Sequence, residues 1–186
     1  MNLDDVPVLY LDSGTVRTRG WVAVDDRLIA VERVTVGARD TAREGSSRRL
    51  SEALEHLVRK LSERCRAQGQ PAPALGVAAG MITSAEGLVD VPHVDAPAGA
   101  LELAQGAECV EGSPVAPFPV VFVPGVRSGP MEADREDIGE TDVMRGEEVL
   151  SLGLAHRGHL PEGGVVLNLG SHWKAVRVDG TGRVES

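Results

Sequence analysis

The sequence predicts an α/β fold, a mixed sheet flanked by helices, and three observations carry that expectation. Three short runs rich in Val, Ile and Leu follow one another with only turns between them. A long stretch then switches to helical spacing, and two further apolar runs of small or branched residues stand beyond it. Aromatics are confined to Tyr10, Trp21, Phe118, Phe122 and Trp173. The core must therefore be mostly Val, Leu and Ala, which suits packed layers of strand and helix.

Taken in order, Val8 to Leu11 reads as a strand delivered into the polar turn Asp12-Ser13-Gly14-Thr15. Thr18 to Val24 and Leu28 to Val36 follow, with Asp25-Asp26 as the turn between them, so an antiparallel meander is expected. From Ser46 to Gln68 the period changes: Leu50, Leu54, Leu57, Val58 and Leu61 fall on one helical face, Ser46 or Ser47 can cap the start, and Gly69 to Pro73 ends the helix. Leu75 to Ala79 is a strand running into Gly80-Met81, Ala98 to Gln105 a short helix, and Val120 to Val123 a second buried strand. Arg127 to Glu140 reads as a loop and Asp142 to Ala155 as a helix. Gly158 to Gly164 interrupts the chain before two last strands, Val165 to Leu169 and Trp173 to Val178, joined by Gly170-Ser171-His172. The domain division expected is 1–155 for one lobe and 156–186 for a linker and the first hairpin of a second.

With 186 residues and a formal charge of −9, the chain suits one domain or one domain and part of another, and supplies no basic face for nucleic acid. Any anionic ligand must then be held by a few placed cations or by backbone N–H groups. Cys65 and Cys109 stand far apart, as reduced thiols do. The acidic start has no signal-peptide character, and no apolar run reaches the ~20 residues that span a bilayer. A cytoplasmic protein is expected.

Several segments could carry chemistry. In Asp12-Ser13-Gly14-Thr15, glycine lets backbone approach a phosphate, and Asp can hold hydrated Mg²⁺ beside it; the plainer reading is an Asx-type turn. Gly170-Ser171-His172-Trp173-Lys174 adds a cation to a similar turn, against the plainer reading of a surface hairpin. Neither is a Walker loop. Asp142-Val143-Met144-Arg145-Gly146-Glu147-Glu148 puts a glycine inside a helical pattern, which marks close packing or a ligand, unless the segment is simply a solvated charged face. His156 and His159, three apart past a helix end, read as a charge cluster rather than metal ligands.

In this order the motifs resemble the 2-dehydro-3-deoxygalactonokinase family of the actin-like and hexokinase-like sugar kinases. The family's opening Asp-Trp-Gly-Thr, with Arg and an aromatic further on, is similar to Asp12-Ser13-Gly14-Thr15, Arg19 and Trp21; its Gly-Met loop to Gly80-Met81; and its Ala/Tyr-Val-x-x-Pro-Ala segment to His93-Val94-Asp95-Ala96-Pro97-Ala98-Gly99. Val123-Pro124-Gly125-Val126-Arg127 and Gly170-Ser171-His172-Trp173-Lys174 resemble two more of its signatures, and Asp142 to Glu148 matches without a gap. Ser13 stands where the family has Trp, and family members continue into a full C-terminal lobe. The resemblance implies a ribonuclease H-like (actin-like ATPase) lobe. It also implies a kinase that moves the γ-phosphoryl of ATP, with Mg²⁺, to the terminal hydroxyl of 2-dehydro-3-deoxy-D-galactonate. By resemblance Gly14, Thr15, Gly170, Ser171 and Lys174 would hold phosphate and Asp12 would assist Mg²⁺. Arg145, Arg19, Arg127, Gly80 and Met81 would meet the sugar acid, a carboxylate matching an Arg fork. Glu147 or Asp142 would be the general base, with Asp12 also at the chemistry. A sugar-acid-binding module without catalysis is the alternative. The last hairpin is expected to present an exposed edge, mobile or paired with another copy.

Overall fold

The computed structural model describes residues 6–113, 115–130 and 139–185. The chain divides into two compact units, Met1–Asp90 with Glu108–Phe122, and Val91–Ala107 with Val123–Ser186. Short strands in 94–95 and 126–128 pair with one another and with 142–144, which gathers those segments into the second unit.

In the first unit, β1 (Val8–Ser13), β2 (Thr18–Val24) and β3 (Arg27–Val34) form the expected antiparallel meander. The turn between β2 and β3 holds Asp25 at φ 55°, a conformation that Asp tolerates better than most side chains. β4 (Leu75–Gly80) and β7 (Val120–Phe122) run parallel to β1, and β6 (Glu108–Val110) closes the far edge antiparallel to β7. The order is β3-β2-β1-β4-β7-β6, so both strands expected beyond the long helix lie in this sheet. That helix, α2 (Arg48–Ala67), buries Leu50, Leu54, Leu57, Val58, Leu61 and Cys65 on a single stripe. Gly20 is where it closes on β2: a Cβ there would stand 2.5 Å from Leu57 Cδ2 and 2.9 Å from Leu61 Cδ1. The short α1 (Ala38–Glu44), for which the sequence reading names no element, packs against α2. It buries only Ala38 and Thr41, too few positions to show a period. The opposite sheet face carries Tyr10 stacked on Trp21, ring centroids 5.7 Å apart, beside Val31.

In the second unit β5 (Val94–Asp95) pairs parallel with β8 (Val126–Ser128), which pairs antiparallel with β9 (Asp142–Met144). Two expectations are corrected here. Residues 126–128 are a strand rather than the head of a loop, and 131–138 of that expected loop lie outside the described residues. Asp142 to Met144 is likewise a strand, paired with β8: Met144 is buried in the core of the unit, and Gly146 at φ 102° separates the strand from α4 (Glu147–His156). α3 (Ala100–Gly106), β10 (Val165–Leu169) and β11 (Trp173–Arg177) complete the unit. Ala98, Leu103, Val126, Met144, Val176, Val178 and Val184 form its core. Ala98 and Val184 exchange both backbone hydrogen bonds, tying the final residues into that core. One face of the β10–β11 hairpin stays exposed, with Val165, Leu167, Leu169 and Trp173 between 58% and 76% accessible.

Candidate functional site

In the first unit the parallel strands β1 and β4 end side by side, Ser13 in register with Gly80. The carboxyl ends of parallel strands are where open α/β sheets place ligands. Gly80, at φ 84°, is required here: a Cβ would lie 2.4 Å from Ser13 O and 3.4 Å from Asp12 Oδ1. The Asp12 to Thr15 turn is closed from within. Gly14 N–H donates to Arg17 O at 2.8 Å, while Gly14 O and Thr15 O accept from Ala38 and Arg39 N–H. Thr18 Oγ1 donates to Val36 O, so Ser13 Oγ must donate to Thr18. The Gly14 N–H expected to meet phosphate is therefore committed to the turn. Arg19 is also committed: its Nε and Nη2 both donate to Asp12 Oδ2, at 3.1 and 2.5 Å. That leaves Asp12 Oδ1 as its second oxygen. Met81 O accepts from Ser84 N–H and Oγ, which folds the loop after β4 back on itself.

The second unit holds the other expected residues, and the Asp142 to Glu148 segment is its most built feature. Gly125 lacks the side chain that would collide with Met144 O at 2.3 Å, Arg145 Cγ at 2.6 Å and His93 Cδ2 at 2.8 Å. Arg145 Nη2 donates to Val91 O at 2.7 Å and stands 3.4 Å from His93 Nδ1. At the start of α4 two carboxylates turn back on preceding N–H groups: Glu147 Oε2 accepts from Arg145, and both Glu148 oxygens accept from Gly146 at 2.8 Å. Glu148 is fully buried. Burial pushes its carboxyl up to about 8, opposed by the Gly146 N–H, so it carries a proton at neutral pH. Glu148 stands in the segment that the sequence singles out but not among its expected site residues, Asp142, Arg145 and Glu147; the glycine two residues before it is the available signal, because it lets the chain fold the acid inward. Asp142 Oδ1 pairs with Lys174 Nζ and accepts Val143 N–H. Arg127 pairs with Asp95 through Nε at 2.8 Å and Nη2 at 2.6 Å. Lys174 and Arg127, expected as ligand contacts, thus each have an internal carboxylate, whereas Gly170 and Ser171 form the exposed tip of the β10–β11 hairpin.

The model of the 2-keto-3-deoxy-galactonokinase family matches residues 12–186. The chain belongs to that family. A crystal structure of a Sinorhizobium meliloti protein assigned as a 2-dehydro-3-deoxygalactonokinase superposes with a TM-score of 0.69 at 24% identity, over 96% of this chain and 51% of that one. A reductive activator for a corrinoid, iron–sulfur protein superposes at 0.52 with 14% identity, over 97% of this chain and 30% of that one. At these identities the likeness speaks for the fold alone, and this galactonokinase-family chain spans about half the length of the Sinorhizobium structure. No curated protein sequence matches it. Among the described residues no helix is long and apolar enough to cross a membrane, and no three His, Cys, Asp or Glu side chains converge on a metal position.

Proposed function

We propose that this chain is part of a cytoplasmic sugar-acid kinase that transfers the ATP γ-phosphoryl to the 6-hydroxyl of 2-dehydro-3-deoxy-D-galactonate, with Mg²⁺ and without nucleic-acid partners. What supports the reading is family membership over residues 12–186, together with the Asp142 to Glu148 segment, whose backbone and side chains are held by hydrogen bonds within it and to Val91 O. A ribonuclease H-like, actin-like lobe is supported by the order β3-β2-β1-β4-β7, with the first three strands antiparallel and the next two parallel to β1.

Phosphoryl transfer asks a protein mainly for positioning and charge stabilisation. Mg²⁺ often takes only one or two carboxylates and fills its shell with phosphate and water, so a single Asp12, offering Oδ1 while Arg19 holds Oδ2, fits that donor set. When bound, the metal supplies positive charge to the transferring phosphate. Arg145 would position the substrate carboxylate. Glu147 would take the proton from the acceptor hydroxyl, because Asp142 is already committed to Lys174. In a coupled ADP-release assay, Glu147→Gln should lower kcat by about 10²–10⁴-fold with KM little changed. Full turnover by that variant would remove Glu147 from the chemistry.

A second reading, a sugar-acid-binding module without catalysis, is favoured by one observation. The Gly14 N–H and Lys174 Nζ, two expected phosphate donors, are spent on Arg17 O and Asp142. Sugar-acid binding without ADP release would select it.

A further inference from the structure

Helix α4 is built inside out. Glu148 and Ser151 are fully buried, while Val149 and Leu150 stand 38% and 50% exposed and Gly153 faces open space. Among the described residues the Glu148 carboxyl makes no ion pair; both of its oxygens take the Gly146 N–H, at 2.8 Å. Burying apolar area stabilises a fold, whereas burying an acid without a counter-charge costs stability. Exchanging Glu148 with Val149 would keep the composition and bury more apolar surface. Stability therefore does not account for the place of this acid, and packing rules are broken in this way chiefly where function requires it.

What the acid holds is a joint. Gly146, at φ 102° and ψ −33°, lies in backbone space that favours glycine, and it stands between Arg145 and Glu147. Glu148 fixes its N–H from within the core, and the buried Ser151 Oγ donates to Glu147 O at 2.7 Å. The Arg145 N–H donates to Glu147 Oε2 at 3.0 Å, and Arg145 Nη2 to Val91 O at 2.7 Å. Two buried polar side chains thus clamp the backbone on both sides of Glu147. We propose that Glu148 is a positioning residue for the kinase reaction, its buried carboxyl setting the Gly146 joint that aims Arg145 and Glu147. The inference rests on the proposed function for the reaction, and on the geometry alone for the joint. Among the described residues the charged groups that act on Glu148 are Glu147 on its own helix and Arg145 before the joint. Ionisation tightens its bond to Gly146 but leaves a charge in the core, and burial is the larger effect. The joint holds below about pH 8 and loosens above it.

The test compares Glu148→Gln, which keeps an uncharged acceptor for Gly146, with Glu148→Leu, which suits the buried position but holds nothing. In a coupled ADP-release assay on the 186-residue chain with 2-dehydro-3-deoxy-D-galactonate, Glu148→Leu should lower kcat about 10- to 100-fold, as a small misplacement does. Glu148→Gln should restore it at pH 7. As pH rises through about 8 the wild-type kcat should fall and that of Glu148→Gln should not. Undiminished kcat in Glu148→Leu, no rescue by Gln, or parallel pH profiles each overturns the inference. A Leu variant that fails to fold leaves the decision to the Gln profile. The same chain, ¹⁵N-labelled and titrated from pH 6 to 9.5, reads the joint without activity. The Arg145, Gly146 and Glu147 amides should shift together near pH 8 in the wild type and stay in place in Glu148→Gln. ADP release with stationary amides would sink the inference and leave the kinase reading intact. Shifting amides without ADP release from any form would keep the joint and remove the kinase reading.

Discussion

Glu148 couples the stability of the second unit to pH. Its folded carboxyl titrates near 8 and the unfolded one near 4.5, so below about 4.5 both states hold the proton. Between about 4.5 and about 8 only the folded state does, and the stabilisation is lost as pH rises through that window. Burial raises the value; the N–H groups of Gly146 and of Glu148 itself favour the ionised form, as does Arg145, and Glu147 opposes it. Glu148→Gln keeps an acceptor for Gly146 and removes the titration. Denaturant unfolding across pH 4 to 9 should show the wild type losing roughly 3 to 5 kcal/mol relative to this variant. Parallel pH profiles for the two proteins would mean that Glu148 is ionised in the fold. The residue also marks the limit of the sequence reading. Asp142, Arg145 and Glu147 could be singled out because charge next to a glycine is visible in the letters. Which of two adjacent acids turns inward depends on the φ of Gly146, and no periodicity encodes that.

Among the elements, β1 to β4 and α2 were legible, since each repeats its signal over several residues. The strands at 94–95, 108–110, 126–128 and 142–144 were not, because two or three residues show no alternation and their partners lie far along the chain. The contact between β2 and α2 allows a direct check of how the sheet and helix close. Gly20→Ala puts a methyl into Leu57 Cδ2 and Leu61 Cδ1, and overpacking of this kind costs about 1–3 kcal/mol. Leu57→Val withdraws the nearer of those methyls at the price of a small void. In a double-mutant cycle the pair should therefore be less destabilising than the sum of the singles. Strict additivity would show that α2 shifts as a whole to admit the methyl.

For the whole molecule, protection should differ between the two sheets of greatest contrast. β1 and β4 lie inside a six-stranded sheet, whereas β10 and β11 form a two-stranded sheet, anchored by Val176 and Val178 on one face and bare on the other, with Glu185 N–H meeting Arg177 O at the end of β11. Hydrogen exchange should give Leu9 and Ala78 amides the slowest rates and the β10 amides rates nearer those of local opening. Equal protection in solution would indicate that another chain covers the hairpin. At this scale strand pairing rather than sequence continuity gathers 94–95, 126–128 and 142–144 into one compact unit.

The two tryptophans fall one in each unit and in opposite surroundings. Trp21 lies half-buried against the Tyr10 ring, whereas Trp173 is 76% accessible at the hairpin. Their emission is therefore separable: the first is blue-shifted and fed by energy transfer from tyrosine, the second is red-shifted and open to collisional quenching by iodide. Each unit thus carries its own intrinsic fluorophore, and its melting should show in its own part of the emission: a red shift for Trp21, a change in iodide quenching for Trp173.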